Sequence, residues 1–187
     1  VYLHVLVRGD EGVVWESGAI DADGGIAGLA EDVNPKNHEV HYDLITDASQ
    51  VQVYQSVVGD ANNERTGSLL DGDRYLKDNR IVPTGFDKVA VANDPNVLDS
   101  FGVFGAAMDD DDFDSGSDTV TYRVPVPAGG DYRVLVELRY QPMAYGHLQT
   151  VFAKSERIDV IDMFRTIYEN TTLHDETIAT AVTTIGR

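Results

Sequence analysis

Residues 51–88 read VQVYQSVVGDANNERTGSLLDGDRYLKDNRIVPTGFDK. Val51, Val53 and Gln55 alternate with Gln52, Tyr54 and Ser56, the period-two pattern of a strand with one buried face. Val57 and Val58 break the alternation, which predicts a bulge or a strand end there. Residues 59–63, GDANN, read as a turn. The spacing of Leu69, Leu70, Tyr75 and Leu76 predicts a short helix over 66–76, with Thr66 or Ser68 as N-cap. Next, Lys77, Asp78, Asn79 and Arg80 stand together between apolar anchors. With Tyr54 they are candidate ligand-loop residues, because Asn and Asp bond neighbouring backbone and Arg80 can fork onto a carboxylate. The competing reading is an irregular connection whose side chains satisfy its own backbone.

Outward from that stretch, the chain has 187 residues, enough for one domain with a sizeable core. It has no cysteine, which excludes disulfides, thiolate metal sites and covalent c-type haem attachment within the chain. No apolar run approaches the length of a membrane span, so membrane insertion is not expected. The formal net charge is −18, from 23 Asp and 9 Glu against 4 Lys and 10 Arg. A field of that sign repels nucleic acid. Adaptation to salty surroundings and binding of a hard cation such as Ca²⁺ both account for it.

Residues 1–7 and 13–18 read as a strand hairpin, with Trp15 as a core or rim anchor. Residues 19–36 read as a long loop. Within it, Asp21 and Asp23 match the start of an EF-hand loop, but Asp32 stands where a bidentate Glu belongs, so they form only a secondary metal candidate. Residues 38–45 read as a strand whose His38 and His41 point to opposite faces, as ordinary strand histidines. Residues 89–92 read as a short strand and 93–107 as a loop. The run DDDDFDSGSD over 109–118 is the sharpest charge feature. Asp109, Asp110, Asp112, Asp114 and Asp118 are the first metal candidates, because packed carboxylates repel unless an ion neutralises them. Residues 119–126 and 131–140 read as a hairpin, 142–152 and 158–168 as helices, and 177–185 as a final strand. The pattern predicts a mainly β fold: one antiparallel β-sandwich domain over 1–187, Ig-like or jelly-roll-like, with one or two short C-terminal helices.

The segments VVWESG (13–18), HEVHYD (38–43), QVQVYQS (50–56), RYLKDNRIVPTGFD (74–87) and VELRYQP (136–142) carry a resemblance. In combination they are similar to a β-rich region of bacterial exported multihaem cytochrome c proteins and related exported proteins. It runs from roughly Trp15 to Tyr140 and is most specific over Tyr54 and 69–86. The resemblance implies a periplasmic or extracellular accessory domain of an electron-transfer protein and supplies no catalytic residues. The haem-binding segments of that family carry CxxCH, which this chain lacks. Any haem is then expected on an upstream segment or a partner, and the chain, which starts at Val1 in mid-strand, is expected to be a fragment of a larger exported protein.

Two other functions compete with an accessory or docking domain. A carbohydrate-binding module draws on the aromatics Tyr2, Trp15, Tyr54 and Tyr145. A hydrolytic enzyme is disfavoured, since Ser17, Ser56 and Ser68 lack a G-x-S-x-G setting and the acidic residues are too many to single out a pair.

Overall fold

The structure is a computed structural model that describes residues 1–97, 101–172 and 174–186. Of the loop expected over 93–107, residues 98–100 lie outside the described residues.

The fold is mixed α and β. Its frame is one antiparallel four-stranded sheet in the order β2-β1-β7-β8, with two separate two-stranded ribbons. Strands β1 (Tyr2–Gly9) and β2 (Gly12–Ser17) form the expected hairpin. From the C-terminal part of the chain, β7 (Tyr132–Tyr140) lies between β1 and β8 (Glu176–Ile185). The cross-strand pairs Val5–Val136 and Val7–Val134 put valines on one face of this sheet. There Val5, Val7, Trp15 and Tyr132 pack with Ile45, joined by Tyr122 and Val120. Each large side chain buried there stabilises the fold by about 1.5–3 kcal/mol.

The segments between β2 and β7 supply the rest. They run through α1 (Ala30–Val33), β3 (Leu44–Ile45), β4 (Ser56–Gly59), β5 (Arg74–Asp78), α2 (Lys88–Asn93) and β6 (Thr121–Tyr122). Ribbon β3–β6 is parallel, and ribbon β4–β5 is antiparallel with a register shift between Val57 and Val58, where the alternation breaks. Helices α3 (Tyr145–Phe152) and α4 (Asp159–Glu169) follow, close to the expected positions. Among the described residues no helix is long and apolar enough to cross a membrane.

Four local expectations are corrected. Residues 66–76 form no helix: a turn at 69–71 leads into β5, and Leu69 and Leu70 are 94% and 97% exposed. Pairing with β4 outweighs the helical spacing, and Gly72 with its flanking aspartates favours the turn. Residues 89–92 are helical rather than extended, because Asp87 caps α2 by accepting a 2.8 Å bond from the Ala90 amide. Residues 38–43 are extended but unpaired, leaving a strand of only two residues, Leu44–Ile45. Residues 119–126 do not pair with 131–140. Pro125 and Pro127 lack the N–H a ladder needs, and β6 pairs instead with β3.

Candidate functional site

The stretch 51–55 runs extended beside β1, with Leu3 N donating to Gln52 O at 3.0 Å and Tyr54 N to Val1 O at 2.7 Å. Val51 and Val53 reach the core formed with Tyr2, Ile26 and Leu29. β5 then brings Lys77 and Asn79 inward against this segment, and both side chains are buried. Lys77 Nζ donates to the carbonyls of Glu39 (2.9 Å), Val40 (3.2 Å) and Val53 (2.8 Å). Burial pushes the Lys77 ammonium down to about 8, and the nearby carboxylates of Glu31 and Glu39 oppose that fall. Those two carboxylates are themselves tied to backbone: Glu31 accepts from Glu39 N at 2.6 Å and Glu39 from Ala30 N at 2.8 Å.

The hydrogen bonds of two amides decide the state of His41. Asn79 Oδ1 accepts from Gln55 N at 2.9 Å, while its Nδ2 lies 2.8 Å from Val53 O and 2.9 Å from His41 Nδ1. Gln52 Oε1 accepts from Tyr42 N at 3.0 Å, while its Nε2 lies 3.2 Å from Asp118 Oδ2 and 2.9 Å from His41 Nδ1. A backbone N–H can only donate and a carbonyl only accept, so both amides are oriented and both present N–H to His41. His41 Nδ1 is therefore an acceptor, the ring proton sits on Nε2, and Nε2 donates to Asp110 Oδ2 at 2.9 Å. Phe113 packs edge-on against the ring at 5.1 Å.

The aspartate run divides. Asp110 and Asp118 turn inward to His41, and Asp118 Oδ2 also accepts from Tyr54 OH at 2.6 Å. Burial raises the Asp110 carboxyl, but the bonds from His41 and the Asp112 amide outweigh it and hold the group below the usual carboxylate range. Asp112 accepts from Thr119 N and lies at the surface with Asp43. Asp114 accepts from Ser115 N in a tight turn, and Asp109 is exposed. Two groups offer ligand atoms within 4.8 Å of one another: His41, Asp110 and Asp118, and Asp43, Asp110 and Asp112. Asp21 and Asp23 join no such group among the described residues. Asp23 accepts from Gly25 N and Tyr145 OH. Asp32 is spent on Ile26 N and Gly146 N, both at 2.8 Å, tying the loop to α3.

A Zn²⁺-like metal does not fit His41. Metal on Nε2 would require a proton on Nδ1, which faces two amide N–H groups instead of the acceptor such a site needs. Asp78 pairs with Arg80 at 2.9 Å and 2.6 Å, and the Arg80 side chain is 65% exposed. Of the ligand-loop candidates, then, Tyr54, Lys77 and Asn79 converge on one buried cluster, while Asp78 is buried beside it with its carboxylate on Arg80 at the edge. Sequence reasoning missed His41, Gln52, Glu31, Glu39 and Lys88. The pattern HEVH held a signal: Glu39 and His41 alternate inward along the extended segment and are both buried.

Two of the expected sugar-stacking aromatics are in the interior. Tyr2 is buried, and so is Trp15, which packs edge-on to Tyr122 at 5.7 Å. Ser17 Oγ donates to the Gln50 carbonyl. Outside the cluster, Tyr54 and Asp118 border a groove of about 540 Å³ walled by Leu3, Val120, Val136 and Leu138.

Comparison with protein-family models, with curated proteins and with solved structures gives no match.

Proposed function

We propose that the chain is a non-catalytic accessory domain of a bacterial exported protein, of the kind that accompanies a haem-bearing electron-transfer segment. One observation carries the reading: within the segments that carry the resemblance, Gln52, Lys77 and Asn79 bond inward to backbone and to His41 rather than into a cleft. Such a cluster fixes the connections between strands by satisfying backbone groups that no ladder pairs. The sandwich architecture belongs to the same reading, with ribbon β3–β6 as the second layer packed on β1 and β7 through Ile45 and Tyr122. The full-length gene product tests it. CxxCH motifs upstream, with covalent haem absorbance in the exported protein, are expected. A hydrolase or adhesin segment in their place overturns the proposal.

A carbohydrate-binding module is the second reading. It is favoured by a surface cavity of about 360 Å³ where Tyr145 and Tyr168 meet Gln149, Arg165 and Glu169. Retention on polysaccharide affinity gels supports it, and free migration on every gel rejects it.

A further inference from the structure

One oxygen of Asp118 has no hydrogen-bond partner, nor has the buried Tyr122 hydroxyl in its field. Its side chain is 1% exposed. Oδ2 is satisfied by Tyr54 OH and Gln52 Nε2. Oδ1 is buried with no hydrogen-bond partner and lies 3.9 Å from His41 Nε2. His41 cannot serve it, since its single N–H is directed at Asp110. A buried carboxylate oxygen without a partner is strongly disfavoured, and a second buried carboxylate, Asp110, stands beside it. Neither buried lysine corrects this: Lys88 Nζ is spent on the carbonyls of Ala107 and Asp110, and Lys77 Nζ on those of Glu39, Val40 and Val53. Asp110 is also common to the surface group with Asp43 and Asp112. Carboxylates thus run from the interior to solvent through a shared member, with the unpartnered Oδ1 at the inner end.

We propose that Asp110 and Asp118 hold a hard divalent cation, Ca²⁺, completed toward solvent by Asp43, Asp112 and water. The donor set is all oxygen, which suits Ca²⁺ with its six to eight ligands and irregular geometry better than octahedral Mg²⁺. His41 is a positioning residue in this arrangement: its Nε2–H pins Asp110 and is not a ligand atom. The proposal stands apart from the accessory reading, because any upstream segment would leave it intact.

The test uses chelator-treated protein at fixed high ionic strength, so that general screening of the acidic surface stays constant. Ca²⁺, Mg²⁺ and Zn²⁺ are added separately and thermal melting is followed. Ca²⁺ at about a hundredfold excess over Kd is expected to raise Tm by roughly 5–10 °C. Asp118→Asn is expected to abolish that rise while melting no lower than the wild type in chelator, because it removes an uncompensated buried charge. Asp114→Asn is expected to keep the rise. If Asp118→Asn does not fold, Tb³⁺ luminescence sensitised through Tyr54 in the wild type decides: a saturable signal displaced by Ca²⁺ supports the site. Three results overturn it: no Ca²⁺ shift with no Tb³⁺ signal, an equal Ca²⁺ shift in Asp118→Asn, or a larger Zn²⁺ shift that His41→Gln removes.

Discussion

The cluster around Lys77, Asn79 and His41 and the C-terminal elements α4 and β8 reverse the usual placement of polar and apolar groups in opposite ways. In the cluster, charged and amide side chains are buried and bonded. In α4 and β8, Val160, Met163, Ile167, Ile178 and Val182 are exposed, and no residue of either element is buried. Secondary structure there follows from local pattern and from the β7–β8 ladder. The cluster has little regular pairing of its own, and its side chains replace the missing ladders by gripping backbone directly. Stability is therefore expected to be concentrated where the chain is least regular, and to be low where it is most regular.

The largest effect is expected at Lys77. Lys77→Met takes the side-chain donor from the carbonyls of Glu39 and Val40, one of two donors from Val53 C=O, and the buried counter-charge from Glu31 and Glu39, a loss of about 3–5 kcal/mol in denaturant unfolding. Asn79→Ala is expected to cost about 1–3 kcal/mol, since it orphans Gln55 N–H and leaves Val53 C=O with Lys77 Nζ alone. A small loss at either position would make the cluster ordinary filling and remove the contrast with α4 and β8.

Asp32 sharpens the comparison by pH. Burial raises its carboxyl to about 6 against the bonds from Ile26 and Gly146 that lower it. A raised folded value means that the stabilising contribution is present below about 4 and lost as pH rises through about 6. Wild type should therefore lose roughly 1–3 kcal/mol relative to Asp32→Asn between those limits. A pH-independent difference would show that the carboxyl is not perturbed in the fold. The smallest effect is at Arg80. Its pair with Asp78 is mostly solvated on the arginine side, so Arg80→Ala should cost under about 1 kcal/mol. A larger cost would move Arg80 from the edge of the cluster into its centre.

The hairpin β1–β2, β7, β8, α3 and α4 were legible because their periodicity is local and long. The bulge at Val57 and Val58 was legible for the same reason. Short segments misled: the valines of 89–92 suggested a strand, while the decisive Asp87 cap lay just outside the window. At 119–126 the alternation was real, but the prolines closed the ladder and the partner was β3 instead. For the candidate site, the density of polar residues at 77–80 was readable, and their inward direction was not. His41 meets Asp110 across 69 positions, a contact that no spacing within either segment encodes. Composition marked the aspartate run without separating the two residues that turn inward from those that cap local turns.

Native-state hydrogen exchange tests the central contrast most directly. The amides of Tyr42, Gln55 and Asp78, bonded to Gln52, Asn79 and the Phe104 carbonyl, are expected to exchange only through global unfolding. The amides of α4 should exchange through a local opening of much lower free energy. Exchange of Tyr42 and Gln55 as fast as that of α4, with β1 and β7 still protected, would contradict the claim that the buried polar cluster holds this fold together.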